Sequence, residues 1–145
     1  MASGDIRLYN TRTRSKEVFE PLEPGRVGIY SCGPTVYSPQ HIGNLRASFF
    51  ADLLRRALAI DGLAVTQVIN VTDVGHLTDD ADDGEDKMER AAAASGRRAD
   101  EIAAQYTQQW LDDRQRLNIA EPDVLCRATE HIAEQIAMVQ RLEEK

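Results

Sequence analysis

The sequence predicts an α/β domain with a parallel sheet, and three consecutive segments carry that prediction. Residues 27–31 form a short apolar run typical of a buried strand. Residues 44–61 repeat apolar side chains at helical spacing, and Gly62 follows where a helix commonly ends. Residues 65–71 are rich in β-branched side chains and predict a second strand. A strand, a helix and a strand of these lengths form a βαβ unit, with parallel strands and a right-handed crossover.

The segments on either side of this unit are predicted to be a leader and three helices. Short extended pieces at residues 6–9 and 18–19 are broken by prolines. An acidic run follows residue 73 and is interpreted as a solvated loop. Helices are expected at about 86–95, about 99–117 and from about 129, with Pro122 in a turn. We expect the residues facing inward to be Leu45, Phe49, Leu53, Leu54, Ala57 and Leu58, then Ile102, Tyr106, Trp110, Leu111 and Leu117, and finally Ile132, Ile136, Val139 and Leu142.

Length and charge limit the function. The 145 residues are the length of one ordinary domain with a core of its own. The net charge of −7 argues against the chain being the main contact for a nucleic acid, whose phosphates are held by Lys and Arg clusters. Basic residues are instead scattered along the chain and are interpreted as solvated: Arg12, Arg14, Lys16, Arg55, Arg56, Arg97 and Arg98.

The expected location is the cytoplasm. No apolar run approaches the roughly 20 residues that span a bilayer. The first five residues lack the basic and apolar parts of a signal peptide. Cys32 and Cys126 are therefore expected to be reduced thiols rather than a disulfide.

One motif suggests the chemistry. Residues 32–37 read Cys-Gly-Pro-Thr-Val-Tyr and leave the first predicted strand, and residues 41–44 read His-Ile-Gly-Asn and open the helix. The first turn of a helix offers free N–H groups and a partial positive charge, which favour phosphate. Gly43 has no Cβ, so a flat base has room to lie against the backbone. The alternative for His41 is that it only caps the helix and packs under the loop.

The two motifs closely resemble the start of the catalytic domain of cysteinyl-tRNA synthetases, which are class I aminoacyl-tRNA synthetases. The family pattern there reads CGPTVYD and then HIGN. The resemblance covers nearly the whole chain, because further segments follow in the family's order: residues 8–11 (Leu-Tyr-Asn-Thr), 22–25 (Leu-Glu-Pro-Gly), 68–73 (Val-Ile-Asn-Val-Thr-Asp), 117–119 (Leu-Asn-Ile), 122–123 (Pro-Asp) and 127–132 (Arg-Ala-Thr-Glu-His-Ile).

The resemblance implies a Rossmann-like (HUP-type) parallel sheet with flanking helices, of which residues 1–145 form the N-terminal half. Within that half we expect a leader at 1–25, the βαβ unit at 26–73, an acidic loop at 74–86 and a helical segment at 87–145. The implied activity is the ATP-dependent and Mg²⁺-dependent activation of cysteine to cysteinyl-adenylate, followed by transfer to tRNA(Cys).

The resemblance also implies roles for individual residues. His41 and Asn44 are the expected catalytic residues, which stabilise the α-phosphate during attack. Thr35, His41, Gly43 and Asn44 are expected to bind ATP, and Cys32, Gly33 and Thr72 to bind cysteine. Cys32 is also the first expected ligand of a Zn²⁺ ion. An open position on zinc favours a thiolate over a hydroxyl, which explains how such an enzyme would reject serine.

One cysteine does not complete a zinc site. The family's other ligands, a Cys, a His and a Glu, are expected downstream of residue 145, as is the KMSKS-type loop. The isolated chain is therefore expected to be inactive. Cys126 and His131 are interpreted as structural, and His76 as a weak functional candidate. A calcium loop starting at Asp79 is rejected, because Ala81 and Arg90 occupy ligand positions.

Two alternatives stay open. A synthetase-like ligase that joins cysteine to a small-molecule amine would resemble this half and lack the part that reads tRNA. A non-catalytic half-domain would bind a partner chain or a second copy, because an incomplete parallel sheet leaves an exposed edge.

Overall fold

The structure is a computed structural model that describes residues 6–75 and 87–145. The elements in chain order are β1 (Arg7–Asn10), β2 (Ser15–Val18), β3 (Arg26–Ser31), α1 (Ile42–Ile60), β4 (Ala64–Val71), α2 (Lys87–Ser95), α3 (Ala99–Arg116), β5 (Val124–Arg127), a 3₁₀ turn (Ala128–His131) and α4 (Ile132–Glu143). No helix within these ranges is both long enough and apolar enough to span a bilayer.

The predicted βαβ unit is confirmed. Strands β3 and β4 pair in parallel, with Ile29 opposite Gln67 and Ser31 opposite Ile69. The sheet also contains a third parallel strand, β5, in the order β3-β4-β5. The prediction that residues 87–145 are a helical segment is wrong at β5, because four residues after a proline turn leave little periodicity to detect.

One face of this sheet is covered and the other is open. Gln67, Ile69 and Val71 of β4 are buried, and Ile69 and Val71 pack with side chains of α2 and α3. On the opposite face, Tyr30 and Val124 are largely exposed. Crossovers between parallel strands are almost always right-handed. With the strand order β3-β4-β5, this rule puts α1 and the pair α2 and α3 on the same side of the sheet. The burial pattern agrees with that placement.

The predicted apolar stripe of α1 is only partly buried. Leu58 is buried, but Phe49 and Leu53 are exposed, so their predicted inward orientation is wrong. The helix buries Asp52 instead. The Asp52 carboxylate accepts hydrogen bonds from Arg56 Nε at 2.7 Å and from Ala120 N at 3.1 Å. The polar contact thus joins α1 to the loop between α3 and β5.

The two neighbouring arginines of α1 have structural partners. Arg55 Nη1 donates to Glu121 O at 2.6 Å, and Arg55 forms an ion pair with Asp123. Arg56 Nη2 donates to Asn118 O at 2.7 Å. These contacts hold the loop that leads into β5.

Helices α3 and α4 differ in how far the prediction is met. In α3, Ile102 and Trp110 are buried as predicted, whereas Leu117 just after the helix is exposed. In α4 the predicted inward face is wrong, because every residue of the helix is exposed. Within the described ranges, its main contact with another element is with the adjoining 3₁₀ turn.

The leader folds as a hairpin, β1 with β2 in antiparallel register, from Arg7 opposite Val18 to Asn10 opposite Ser15. Arg14 in its turn has a φ of 56°. The predicted acidic loop and His76 lie outside the described residues, except for positions 74 and 75. The rejected calcium loop begins in the same undescribed part.

Candidate functional site

The candidate site begins at the N-terminus of α1, where His41 is the capping residue. His41 Nδ1 accepts a hydrogen bond from Gly43 N at 3.1 Å, and Asn44 Oδ1 accepts one from His41 N at 3.2 Å. This reciprocal pair is a capping box, which satisfies N–H groups that the helix itself leaves free. The helix therefore starts at Ile42, two residues earlier than predicted.

Capping fixes the tautomer of the His41 ring and leaves its second nitrogen available for a ligand. Because Nδ1 accepts a hydrogen bond, the proton of the neutral ring is assigned to Nε2. The side chain is exposed rather than packed under the loop. His41 therefore caps the helix and still presents an N–H donor to a ligand.

The structure explains why residue 43 is a glycine. A Cβ at this position would lie 2.9 Å from His41 Cε1 and 3.0 Å from His41 Nδ1. Any larger residue would crowd the ring that caps the helix. The absence of a side chain at Gly43 thus keeps the His41 conformation and leaves the backbone open above it.

A cleft of about 240 Å³ lies beside this helix end. Three of the four predicted ATP-binding residues line it, namely Thr35, His41 and Asn44, together with Tyr37, Ser38, Pro39 and Gln40. Gln40 Nε2 donates to Thr35 O at 3.2 Å, which ties the loop across the cleft. Lys87 Nζ lies 5.7 Å from the centre of the Tyr37 ring and adds a positive charge nearby. The predicted free N–H donors of Gly43 and Asn44 are engaged by His41, so the features that suit a phosphate group here are the polar lining and the positive charge.

The second part of the site lies at the carboxyl ends of β3 and β4. Gly33 N donates to Asn70 Oδ1 at 3.1 Å, and Asn70 Nδ2 donates to Thr72 Oγ1 at 3.2 Å. A Cβ on Gly33 would overlap the Asn70 carbonyl oxygen, so only glycine permits this approach. Two predicted cysteine-binding residues, Gly33 and Thr72, are thus joined through Asn70.

Backbone contacts connect the two parts. Thr35 and Thr72 form a parallel bridge, with Val36 N donating to Thr72 O at 3.2 Å and Thr72 N donating to Pro34 O at 3.0 Å. The loop after β3 is therefore laid along the end of β4. Ligands of open α/β sheets bind outside these carboxyl ends.

Cys32 is exposed, as a ligand-binding thiol must be. Within residues 6–75 and 87–145, however, no three His, Cys, Asp or Glu side chains form a group that could hold a metal. Structural and catalytic zinc sites need at least three protein ligands. The described residues therefore do not make a zinc site, and Cys32 contributes one ligand at most.

The other candidates lie apart from the cleft lining. The Cys126 thiol is half-buried and donates to Ile69 O at 3.6 Å, in agreement with a packing role. His131 is an exposed residue at the start of α4. Asp73 accepts hydrogen bonds from Thr129 N at 3.0 Å and from Thr129 Oγ1 at 2.7 Å. The segments 68–73 and 127–132, which both resemble the family pattern, therefore meet at this contact.

Sequence reasoning missed Asn70, Gln40 and Lys87 as parts of the site. Asn70 carried a signal, because asparagine is disfavoured within a strand and here interrupts a β-branched run. Gln40 directly precedes His41 but its residue type gave no signal. Lys87 gave none either, since only the folded structure brings the first residue of α2 to Tyr37.

The fold and the site define an α/β domain with a parallel sheet, in which a helix N-terminus lies beside the ends of the strands. The family model described as tRNA synthetases class I (C) catalytic domain matches residues 18–145. The chain belongs to this family.

Curated relatives are similar over almost all of the chain. A protein named cysteine–tRNA ligase 1 from Burkholderia lata is 53% identical over 138 residues, which are 95% of this chain and 29% of that protein. Cysteine–tRNA ligases from Novosphingobium aromaticivorans and Thermus thermophilus are 52% and 47% identical, over 99% and 93% of this chain. The chain spans 29% and 28% of the length of those two relatives.

Proposed function

We propose that this chain forms the ATP-binding and cysteine-binding part of a cysteine–tRNA ligase. In the complete enzyme, cysteine and ATP with Mg²⁺ give cysteinyl-adenylate and pyrophosphate, and the cysteinyl group then passes to tRNA(Cys). The observation that carries the proposal is the continuous site in which a capped helix N-terminus lies beside two strand ends. The ligase names of relatives about 50% identical to the chain support the same activity.

The ATP part of the proposal rests on the cleft. Thr35, Gly43 and the first turn of α1 bind the nucleotide, and a carboxylate oxygen of cysteine attacks the α-phosphorus while pyrophosphate leaves. His41 donates from Nε2 and Asn44 from its side-chain amide, because their other polar atoms are engaged in the capping box. Both donors stabilise the negative charge that grows on the phosphate.

The cysteine part of the proposal rests on the strand ends. Gly33 and Thr72 bind the amino acid, and the exposed Cys32 thiolate supplies one ligand to a Zn²⁺ ion whose remaining ligands come from outside this chain. We place the complete enzyme in the cytoplasm. The tRNA is bound elsewhere, because Arg55, Arg56 and Arg98 form ion pairs within the fold.

The test is cysteine-dependent ATP–pyrophosphate exchange by two proteins. One is the 145-residue chain, and the other is a chimera in which this chain replaces the aligned segment of the Burkholderia lata ligase. We expect exchange from the chimera and none from the chain alone. A folded chimera without exchange would contradict the proposal, whereas exchange by the chain alone would contradict the expectation that it is incomplete.

Matched variants of the chimera test the residues. His41→Ala is expected to lower kcat about 10²–10³-fold, as the loss of one transition-state donor does. His131→Ala removes an exposed histidine and is the control, expected to leave kcat unchanged. Cys32→Ser should abolish zinc retention, with Cys126→Ser as its control. Equal effects of His41→Ala and His131→Ala would contradict the catalytic role of His41. Equal effects of Cys32→Ser and Cys126→Ser would contradict the role of Cys32 as a zinc ligand.

A second candidate, a half-domain that binds another copy of itself, is favoured by two features: among the described strands β3 pairs with β4 alone, and one face of the sheet is open. Sedimentation of the 145-residue chain tests it. A monomer over a wide concentration range rejects homo-association.

A further inference from the structure

We propose that Asn70 is a positioning residue for the amino-acid pocket, which holds the Gly33 peptide in place and turns the Thr72 hydroxyl proton towards the ligand. This inference rests on the function proposed above. It adds a residue and a direction of hydrogen bonding to that site.

The orientation of the Asn70 amide is set by its partners. The Gly33 N–H can only donate, so the atom facing it at 3.1 Å must be the Asn70 oxygen. The Asn70 nitrogen therefore faces Thr72 Oγ1 at 3.2 Å and donates to it. The oxygen and the nitrogen of the Asn70 amide are thus each hydrogen-bonded to a residue of the predicted pocket, the oxygen to Gly33 and the nitrogen to Thr72.

This arrangement gives the Thr72 hydroxyl a direction. A hydroxyl accepts through its lone pairs and donates one proton. Since Asn70 occupies the acceptor side, the Thr72 proton is left to donate, and within residues 6–75 and 87–145 no hydrogen bond takes it up. The acceptor that fits is an anionic oxygen of a ligand, such as the carboxylate of an amino acid.

The contact with Gly33 fixes the other wall of the pocket. Gly33 follows Cys32 directly, and its Cα lies so close to the Asn70 backbone that a Cβ would not fit. The Asn70 side chain then anchors the Gly33 amide from the same residue. Without this bond, the segment that carries the exposed thiol would lose its side-chain tie to β4.

An ordinary structural role would predict something different. Asparagine is disfavoured in strands, and a β-branched residue would pack better at this position near the carboxyl end of β4. The residue is half-buried rather than solvated. Its two hydrogen bonds run only to residues of the predicted pocket, whereas a residue serving the strand alone would need neither.

The experiment combines kinetics and hydrogen exchange on Asn70→Ala and Asn70→Asp, with Thr66→Val as the control. Thr66 lies on the same strand, is exposed, and has no bond to the pocket. In the chimera, we expect Asn70→Ala to raise the KM for cysteine about tenfold, the effect of one lost hydrogen bond to a charged ligand, and the KM for ATP less than twofold.

The aspartate variant separates the two halves of the inference. It keeps an oxygen acceptor for Gly33 and loses the donor to Thr72. Amide exchange at Gly33 in the 145-residue chain should therefore stay slow in Asn70→Asp and become about tenfold faster in Asn70→Ala. The KM for cysteine should rise in both variants.

A double-mutant cycle tests whether Asn70 acts through Thr72. If it does, Asn70→Asp raises the KM for cysteine by a smaller factor in the Thr72→Val background than it does alone. Additive effects, equal increases of KM for both substrates, or unchanged exchange at Gly33 would overturn the inference. If the unsubstituted chimera fails to exchange pyrophosphate, the proposed function fails, and Gly33 exchange alone then decides whether Asn70 holds the loop.

Discussion

Helices α3 and α4 both carry apolar side chains at helical spacing, but they meet very different surroundings. In α3, Ile102 is 3% exposed and Trp110 is 2% exposed. In α4, Ile136 is 53% exposed and Leu142 is 64% exposed. The two helices have similar patterns and opposite burial.

The difference shows what an amphipathic pattern specifies. It fixes which side of a helix will be buried when a neighbour is present, and it does not supply the neighbour. Helix α3 packs against α2 and the covered face of the sheet. Helix α4 contacts the 3₁₀ turn that precedes it and leaves a row of apolar residues open, as contact surfaces do.

The largest expected effect is at Trp110, the biggest buried side chain of α3. Trp110→Ala should lower the free energy of unfolding by about 3–5 kcal/mol, because it leaves a cavity and removes the ring on which Arg114 stacks at 4.8 Å. Urea unfolding of the 145-residue chain measures it. Trp110→Phe, which keeps much of the volume, serves if the alanine variant does not fold. Leu142→Ala is the α4 control, and a similar loss there would remove the contrast between the helices.

A smaller effect is expected at Asp52, which fixes the loop after α3. Asp52→Ala should cost about 2–3 kcal/mol, since the half-buried Ala120 N would lose its acceptor and Arg56 would lose its charged partner. Helix α4 has no comparable tie to another described element. Asp112→Ala, an exposed aspartate of α3, is the control for losing a charge. Equal losses in the same urea experiment would mean that the Asp52 contacts do not stabilise the fold.

The sharpest test of the comparison is Ile136→Ala. In the 145-residue chain the change should stay within about 0.5 kcal/mol, because an exposed side chain loses little. In the chimera the same change should cost about 2 kcal/mol or more if added polypeptide covers α4. Thermal unfolding of both proteins gives the two values. The same small change in both would show that α4 stays uncovered.

Features set by interactions between residues close in sequence could be predicted, and features set by contacts between distant segments could not. Strand β4 and helices α1 to α3 were predictable, because local periodicity and terminator residues specify them. Strand β5 was not, since its four residues form a strand only by pairing with β4. The same holds for the site. The motif indicated Thr35, His41 and Asn44, which line one cleft. Asn70 carried only the signal of an unusual residue type in a strand, and its bonds to Gly33 and Thr72 became apparent only when the loop after β3 was seen against β4. The chemical roles of all these residues stay predictions.

The smallest expected effect concerns the first turn of α3, where Arg98 contacts Asp100. Arg98 holds the pKa of Asp100 below its ordinary value, through a hydrogen bond at 2.7 Å and its charge. Because that pKa is lower in the folded chain, the ionised carboxylate stabilises the fold above the unfolded pKa, and this contribution is lost as pH falls through the folded value. Arg98→Ala should therefore raise the Asp100 pKa towards its usual range and flatten the acid limb of the stability curve. Titration of the carboxyl by NMR measures the shift. Arg141→Ala, which removes an arginine of α4, is the control and should leave Asp100 unchanged, because a shift of equal size would mean that overall charge, not the Arg98 contact, sets the pKa.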